Sequence, residues 1–172
     1  HSMIYFGSLA LLGVTTLLEV DYQLPDDLKF LHGTTYKAYA FFGDFAGLVF
    51  LTGIVWAIVR RYVQRPYRIR IKSKPEHALI LGTFLAIGVT GYGAEAFRIA
   101  SDGMPSYEKA SFIGYPLATL VDGFAAGTID RWHQLWWAAH VLSFIVFLAL
   151  LPVTMLRHVF TSPLNMHLKD RD

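Results

Sequence analysis

The sequence predicts an all-α integral membrane protein, a four-helix bundle with both termini on the cytoplasmic side. Three observations lead to this prediction. Of the 172 residues, 54% are hydrophobic and only 16% are charged, whereas soluble domains carry about 25% charged residues. The charged residues are clustered, which leaves four long runs nearly free of charge, as expected for segments solvated by lipid. The connections between these runs differ in the sign of their charge.

The four runs are candidate membrane spans, and a spanning helix takes about 20 mostly apolar residues, with a range of about 17–25. They cover residues 3–18, the segment from just after Pro25-Asp26-Asp27 to Arg60-Arg61, residues 77–100 and residues 132–160. Pro152 is expected to bend the fourth helix without ending it, because neighbouring helices can satisfy the carbonyl that a proline frees.

The charges of the connections predict the orientation. The second connection and the C-terminal tail are basic, whereas the first and third connections are mainly acidic. The basic residues are Arg60, Arg61, Arg65, Arg68, Arg70, Lys72, Lys74, Arg157, Lys169 and Arg171. Basic loops stay in the cytoplasm, so the first and third loops are expected to face outward. Within the third loop, the apolar residues 112–124 are expected to form a short interfacial helix.

Cysteine is absent. This excludes, within this chain, a disulfide framework, a thiolate nucleophile and a cysteine-ligated zinc ion or iron–sulfur cluster. The net charge of +2 gives no reason to expect a nucleic-acid partner. Seven histidines remain as candidate ligands of a metal or a haem.

Two histidines stand out on the fourth predicted helix. His140 and His158 are 18 residues apart, which is five whole helical turns, so they are expected to share one helix face about 27 Å apart along the axis. Each could hold one haem iron in its own leaflet, and the alternative is two unrelated polar residues at the two interfaces. By predicted depth, His32 on the second helix is a candidate partner of His140. His158 has two candidate partners, His1 and His77.

Four sequence stretches resemble a known family. They are HSMIYFG at the start, FLHGTTYKAYAFFGDFAGL, the RRY-x-x-R-P loop, and AHVLSFIVFLALLPVTMLRHVFTSPLN with its paired histidines and intervening proline. They resemble the membrane cytochrome b (gamma) subunit of respiratory nitrate reductase. They are still more similar to the membrane part of heterodisulfide-reductase-like and electron-transfer-flavoprotein–quinone oxidoreductase fusions. The resemblance covers nearly the whole chain.

The resemblance implies two haem b groups and suggests their ligands. His158 and His1 match the ligands of the haem on the cytoplasmic side, and His140 matches a ligand of the outer haem. The family pattern places the second ligand of the outer haem near Leu11, and leucine cannot bind iron. We therefore expect His32 to substitute for it.

The resemblance also implies a function. The chain would be the membrane module of a quinone-linked oxidoreductase, carrying electrons between membrane quinone and a cytoplasmic iron–sulfur domain or subunit, with electron-transfer flavoprotein as a further partner. Residues 1–160 would form the di-haem cytochrome b domain of a longer chain, and residues 161–172 would link it to the iron–sulfur domain. The expected location is the bacterial or archaeal cell (inner) membrane, in contact with its lipids.

Three charged residues are candidates for handling quinone or protons. Lys37 is predicted near the outer side, and Asp44 and Glu95 lie inside predicted spans, where a carboxylate is costly unless it has a partner or a function. Glu95 is expected to pair with Arg98, one turn later. Asp44 and Glu95 also suggest an alternative function, a non-haem proton-coupled transporter or channel subunit. A third interpretation is a purely structural membrane anchor.

Overall fold

The computed structural model describes residues 2–71 and 74–168, and within them all regular structure is helical. The α-helices are α1 (Ser2–Gln23), α2 (Gly33–Ile58), α3 (Tyr67–Arg70), α4 (Pro75–Ser101), α5 (Gly114–Thr119), α6 (Ala126–Val153) and α7 (His158–Leu168). A π-helical segment, Val59–Gln64, extends α2, and two 3-10 helices cover Ser106–Ala110 and Met155–Arg157. In the described part of the chain α1, α2, α4 and α6 are long and apolar enough to cross a membrane, which confirms the all-α fold with four spans.

The bundle has two dissimilar ends. We call the end formed by residues 24–32 and 102–125 the capped end, because the longer connection folds over the helices there. We call the end formed by residues 59–71, 74 and 154–168 the basic end, after its arginines and lysine.

Helix α2 starts later than predicted. It begins at Gly33 rather than directly after Asp27, so the predicted start was wrong. The carboxylate of Asp21, at the end of α1, accepts hydrogen bonds from the backbone N–H groups of Phe30 (2.7 Å) and Leu31 (2.8 Å). These bonds satisfy donors that a helix would otherwise use, and they hold the connection as a loop folded back on α1.

The fourth span ends earlier than predicted. Helix α6 stops at Val153, and Thr154 is extended, with φ −115° and ψ −178°. Pro152 offers no N–H to the preceding turn. The Thr154 hydroxyl donates to the Leu150 carbonyl (2.7 Å) and accepts from Leu156 N–H (3.3 Å), so one side chain satisfies groups on both sides of the break. The expectation of a bent but continuous helix was therefore wrong.

The spans pack in the order α1, α2, α4 and α6, and α1 and α6 form no comparable pair within the described residues. Close approach depends on small residues, as is usual between membrane helices. A Cβ on Gly7 would lie 2.9 Å from the backbone of Phe50, and one on Gly43 would lie 3.4 Å from Val14. These two contacts set the register of α1 against α2.

One cluster of buried apolar side chains lies near the capped end. It consists of Ala96, Phe97, Ile99, Ala100, Ala118 and Ile129. Other buried apolar residues are Ala40, Ala46, Phe50 and Ile54 on α2, and Leu156. Elsewhere many large apolar side chains are exposed on the outside of the bundle, which suits contact with lipid. In the third connection the helix predicted over residues 112–124 is the six-residue α5, and it packs against α4.

Candidate functional site

His140 lies on α6 with its imidazole turned toward α4. Its Nδ1 is 3.1 Å from the Ile87 carbonyl oxygen and 3.1 Å from Thr90 Oγ1. The Thr90 hydroxyl donates to the Ala86 carbonyl (2.6 Å), so its oxygen is an acceptor toward the histidine. Both neighbours of Nδ1 are thus acceptors, which assigns the proton of the neutral ring to Nδ1 and leaves the lone pair on Nε2.

This tautomer is the one that a metal-ligating histidine commonly adopts. Such histidines donate the N–H of one ring nitrogen to a carbonyl or carboxylate, which orients the ring and leaves the other nitrogen for the metal. Gly91 provides the space for the ring, because a Cβ on Gly91 would lie 3.2 Å from His140 Cε1. The residues around His140 therefore fit an axial ligand of a haem.

The position on α1 at the depth of His140 does not supply a second ligand. From the register of α1, Leu11 lies at the level of Gly47 on α2, and Gly47 contacts the hydroxyl end of Tyr92 on α4. Tyr92 directly follows Gly91, which lies against His140. Leu11 and His140 are therefore at similar depths. A leucine side chain carries no donor for iron.

The structure does not bring His32 to His140. His32 is the exposed residue that precedes α2, at the capped end. The part of α2 level with His140 lies between Gly47, which contacts Tyr92 on α4, and Leu51, which contacts Gly88. From Gly33 to this part the helix rises roughly 21–27 Å. The expected substitution of His32 for the missing ligand therefore finds no support in this arrangement.

His158 is the first residue of α7 and is exposed. Its Nδ1 is within hydrogen-bonding distance of the Met155 carbonyl, an acceptor, so Nε2 again carries the lone pair. Because α6 ends before it, His158 does not share a continuous helix face with His140, and that prediction was wrong. Its predicted partner, His1, lies outside the described residues.

His77 lies at the start of α4. Its Nδ1 is 3.1 Å from the backbone N–H of Lys74 and 3.2 Å from the carbonyl oxygen of the same residue, in a capping box. Because one neighbour of Nδ1 is a donor and the other an acceptor, these contacts do not assign the ring proton, and His77 contributes to the helix cap. The basic end is further tied together by Glu76, whose carboxylate accepts the backbone N–H of Met155.

Asp44 and Glu95 come together near the capped end. Asp44 is 2% exposed, and its Oδ2 accepts from the backbone N–H groups of Ile113 (2.6 Å) and Gly114 (3.2 Å). The Glu95 carboxyl lies against the same glycine, since a Cβ on Gly114 would be 2.6 Å from Glu95 Cδ. Asp44 thus anchors the third connection, a role that no local sequence pattern predicted.

Arg98 pairs with a residue that the sequence analysis missed. Its guanidinium is 2.6 Å from Glu108 Oε1 and 3.3 Å from Asp102 Oδ2, whereas no such ion pair with Glu95 is found. The expected Glu95–Arg98 pair is therefore wrong. Glu108 is 1% exposed and also accepts from the Tyr36 hydroxyl (2.6 Å). Its burial could not be read from its position in a long polar loop.

Lys37 is exposed on the first turns of α2. Within residues 2–71 and 74–168, no three histidine, aspartate or glutamate side chains are grouped as a metal site. The candidate site is therefore a set of single histidines along the bundle together with the buried acids near the capped end.

Comparison with known proteins identifies a family and a relative. Residues 5–170 match the family described as nitrate reductase gamma subunit, which confirms the resemblance predicted from the sequence. Over 148 residues the chain is 32% identical to the EtfAB:quinone oxidoreductase of Syntrophomonas wolfei subsp. wolfei. The match covers 81% of this chain and 21% of that protein, so the chain spans about a fifth of the length of this relative. No solved structure matches the chain.

Proposed function

The chain belongs to the nitrate reductase gamma subunit family, and we propose that it is the membrane b-type cytochrome module of a quinone-linked oxidoreductase. It carries electrons between membrane quinone and a cytoplasmic iron–sulfur domain or flavoprotein. The observation that supports this best is His140, whose Nδ1 faces two acceptors and whose Nε2 lone pair remains for a metal. Haem b, when bound, supplies one-electron redox chemistry.

The proposed ligands differ at the two ends. At the basic end, His158 and His1 hold one haem b. Toward the capped end, His140 holds a second through its Nε2, with the Ile87 carbonyl fixing the ring. His32 takes no part. The proposal of two haems thus rests on a bis-histidine site at one end and a single histidine at the other.

The partners follow from charge and from the relative. The arginines of the basic end favour a cytoplasmic location for that end, and helix α7 lies at the same end, where we propose that the iron–sulfur partner binds. The name of the relative joins an electron-transfer flavoprotein (EtfAB) to quinone, and we infer the same two partners here. The proposed location is the inner membrane of a bacterial or archaeal cell, with Lys37, Asp44 and Glu95 as the residues that handle quinone or its protons.

A redox difference spectrum tests the proposal. The protein is purified from membranes of cells supplied with haem, and its reduced-minus-oxidised spectrum is recorded together with the haem-to-protein ratio. A b-type band that is reoxidised by a quinone analogue supports the proposal. The absence of that band in folded protein would refute it.

A second candidate function is favoured by one observation, the carboxyl groups of Asp44, which is buried, and Glu95, which is half-buried, inside the spans. In a non-haem proton-coupled transporter or channel subunit these acids would couple proton movement to transport. This alternative predicts haem-free protein and a flux that depends on the proton gradient. Reconstitution in vesicles with a pH-sensitive dye inside distinguishes the two functions.

A further inference from the structure

The buried acids near the capped end carry more negative charge than their surroundings balance. Arg98, the cation of this cluster, is already bound to Glu108 at 2.6 Å and to Asp102 at 3.3 Å. The other groups facing the cluster, Tyr36, Tyr39 and Tyr92, are neutral phenols at ordinary pH. Among the described residues, two ionised carboxylates on Asp44 and Glu95 would therefore have only the more distant charge of Arg98, whose direct ion pairs are with Glu108 and Asp102.

Such a pair is unfavourable inside a membrane. A single carboxylate at mid-bilayer costs about 2.5–3.5 kcal/mol even on insertion scales. Two carboxylates that share one site repel each other as well, and proteins relieve this by leaving a proton on one of them. One proton between Asp44 and Glu95 removes one of the two charges and their repulsion.

The hydrogen-bond pattern has a place for that proton. Oδ1 of Asp44 is buried and has no hydrogen-bond partner of ordinary geometry among the described residues, although Oδ2 has two. The Glu95 carboxyl is its neighbour. A proton on Glu95 would give Asp44 Oδ1 the donor that it otherwise lacks. The hydroxyl of Ser111, which is 0% exposed, lies beside Glu95 and likewise has no hydrogen bond of ordinary geometry in the described part of the chain.

We propose that Asp44 and Glu95 hold one proton between them and exchange it with the aqueous phase at the capped end. Glu95 is one turn from Gly91, the residue that lies against His140. The pair therefore lies next to the path that electrons take in the proposed function. The role of the pair in quinone chemistry rests on that proposed function. Oxidation of a quinol to a quinone breaks two O–H bonds and releases two electrons and two protons, and reduction reverses this. The pair passes those protons one at a time.

Infrared spectroscopy tests the shared proton without any electron transfer. The oxidised protein in lipid nanodiscs is expected to show a protonated-carboxyl C=O band that shifts in D2O. The variants are Asp44→Asn and Glu95→Gln, alone and together. They keep side-chain size, and asparagine can still accept from the Ile113 and Gly114 amides. Asp102→Asn removes an exposed acid of the same region and is the matched control.

The expected result is that each single variant shifts or removes the band, the double variant lacks it, and Asp102→Asn retains it. The proposal is overturned if the band is missing from the wild type or survives unchanged in the double variant. Thermal unfolding of each variant in nanodiscs shows that the comparison is made on folded protein.

A second measurement tests the link to quinone chemistry. With a ubiquinol or menaquinol analogue as donor and a soluble dye as acceptor, the rate in Glu95→Gln is expected to fall by about a hundredfold, as when a proton-transfer group is lost. The pH dependence of the wild-type rate should disappear with it. An unchanged rate and pH profile would overturn the role in quinone chemistry. Failure of the proposed function itself has a different signature, since haem-free protein lacks the b-type spectrum while the infrared band can still be measured.

Discussion

The two histidines that the sequence singles out lie in contrasting surroundings. His140 is half-buried on α6, and both acceptors of its Nδ1 come from another helix, α4. His158 is exposed at the start of α7, and the acceptor of its Nδ1 is the Met155 carbonyl, three residues earlier in the same chain segment. One ring is oriented by tertiary packing and the other by its own turn.

The same contrast holds for the two ends of the bundle. At the capped end, Asp44 and Glu108 reach across to other segments and are almost fully buried. At the basic end, the bonds around Thr154 and His77 are short-range, whereas the bond from Met155 to Glu76 joins two segments. Substitutions of Asp44 and Glu108 should therefore act through tertiary contacts, and substitutions of Thr154 and His77 should act locally.

The largest expected effect is on haem content. His140→Ala and His158→Ala are each expected to remove one of two haems, since each supplies an axial nitrogen in the proposal. His32→Ala is the matched control and should retain both, because His32 is exposed and far in depth from His140. The measurement is haem per protein in purified membranes. Loss of a haem in His32→Ala would show that the ligand assignment, and with it the contrast between the two ends, is wrong.

The second-largest expected effect is that of a Glu108 substitution on the free energy of unfolding. Glu108→Ala is expected to lower the free energy of unfolding by about 3 kcal/mol, because it leaves Arg98 and the Tyr36 hydroxyl without their buried partner. Asp102→Ala removes the more exposed partner of the same guanidinium and should cost at most about 1 kcal/mol. Denaturant titration in mixed micelles measures both. If Glu108→Ala and Asp102→Ala lowered the free energy of unfolding equally, the buried contact between Glu108 and Arg98 would not be the more stabilising one.

A smaller effect is expected at Gly91, which lies against the His140 imidazole. Gly91→Ala places a methyl group 3.2 Å from the imidazole and should cost about 1–2 kcal/mol through overpacking. Gly82→Ala lies on the same helix, but its methyl group would meet nothing within 4 Å. This control should be neutral or slightly stabilising, since alanine favours helix over glycine. The explanation by overpacking would be wrong if Gly82→Ala lowered the free energy of unfolding and Gly91→Ala left it unchanged.

The smallest effect is expected in the first connection. The hydrogen bond from Lys29 (2.6 Å) and its positive charge hold the pKa of the exposed Asp26 carboxyl below its ordinary value. The small stabilisation from this pair is present above the unfolded-state pKa and is lost as pH falls through the lowered folded-state value. Lys29→Met should raise the pKa of Asp26 with no measurable change in unfolding. Carboxyl chemical shifts followed against pH provide the check.

The sequence predicted most of the span structure because that prediction depends only on composition and charge. The third span, expected over residues 77–100, is Pro75–Ser101. The errors lie where a side chain from elsewhere satisfies the backbone. Asp21 holds residues 30 and 31 out of α2, and Thr154 ends α6. No pattern of hydrophobic residues in the sequence identifies either contact.

The candidate site divides in the same way. His140 could be identified from the sequence because a histidine inside an apolar run is conspicuous, and the resemblance to the nitrate reductase gamma subunit family pointed to it as well. Its tautomer, its fit against Gly91, the mismatch with His32 and the burial of Glu108 depend on which helices are neighbours and at what depth.

The sequence by itself thus determined that the chain is an all-helical membrane protein with four spans, since lipid requires long uncharged runs whatever their packing. It also identified the polar side chains inside those runs whose burial in lipid is costly unless they have a partner or a function. Only the tertiary structure decided how they are used. Partners such as Asp44 with Ile113, or Arg98 with Glu108, are set by the register between helices and the connection that folds over them, and that register comes from side-chain packing rather than from any local pattern.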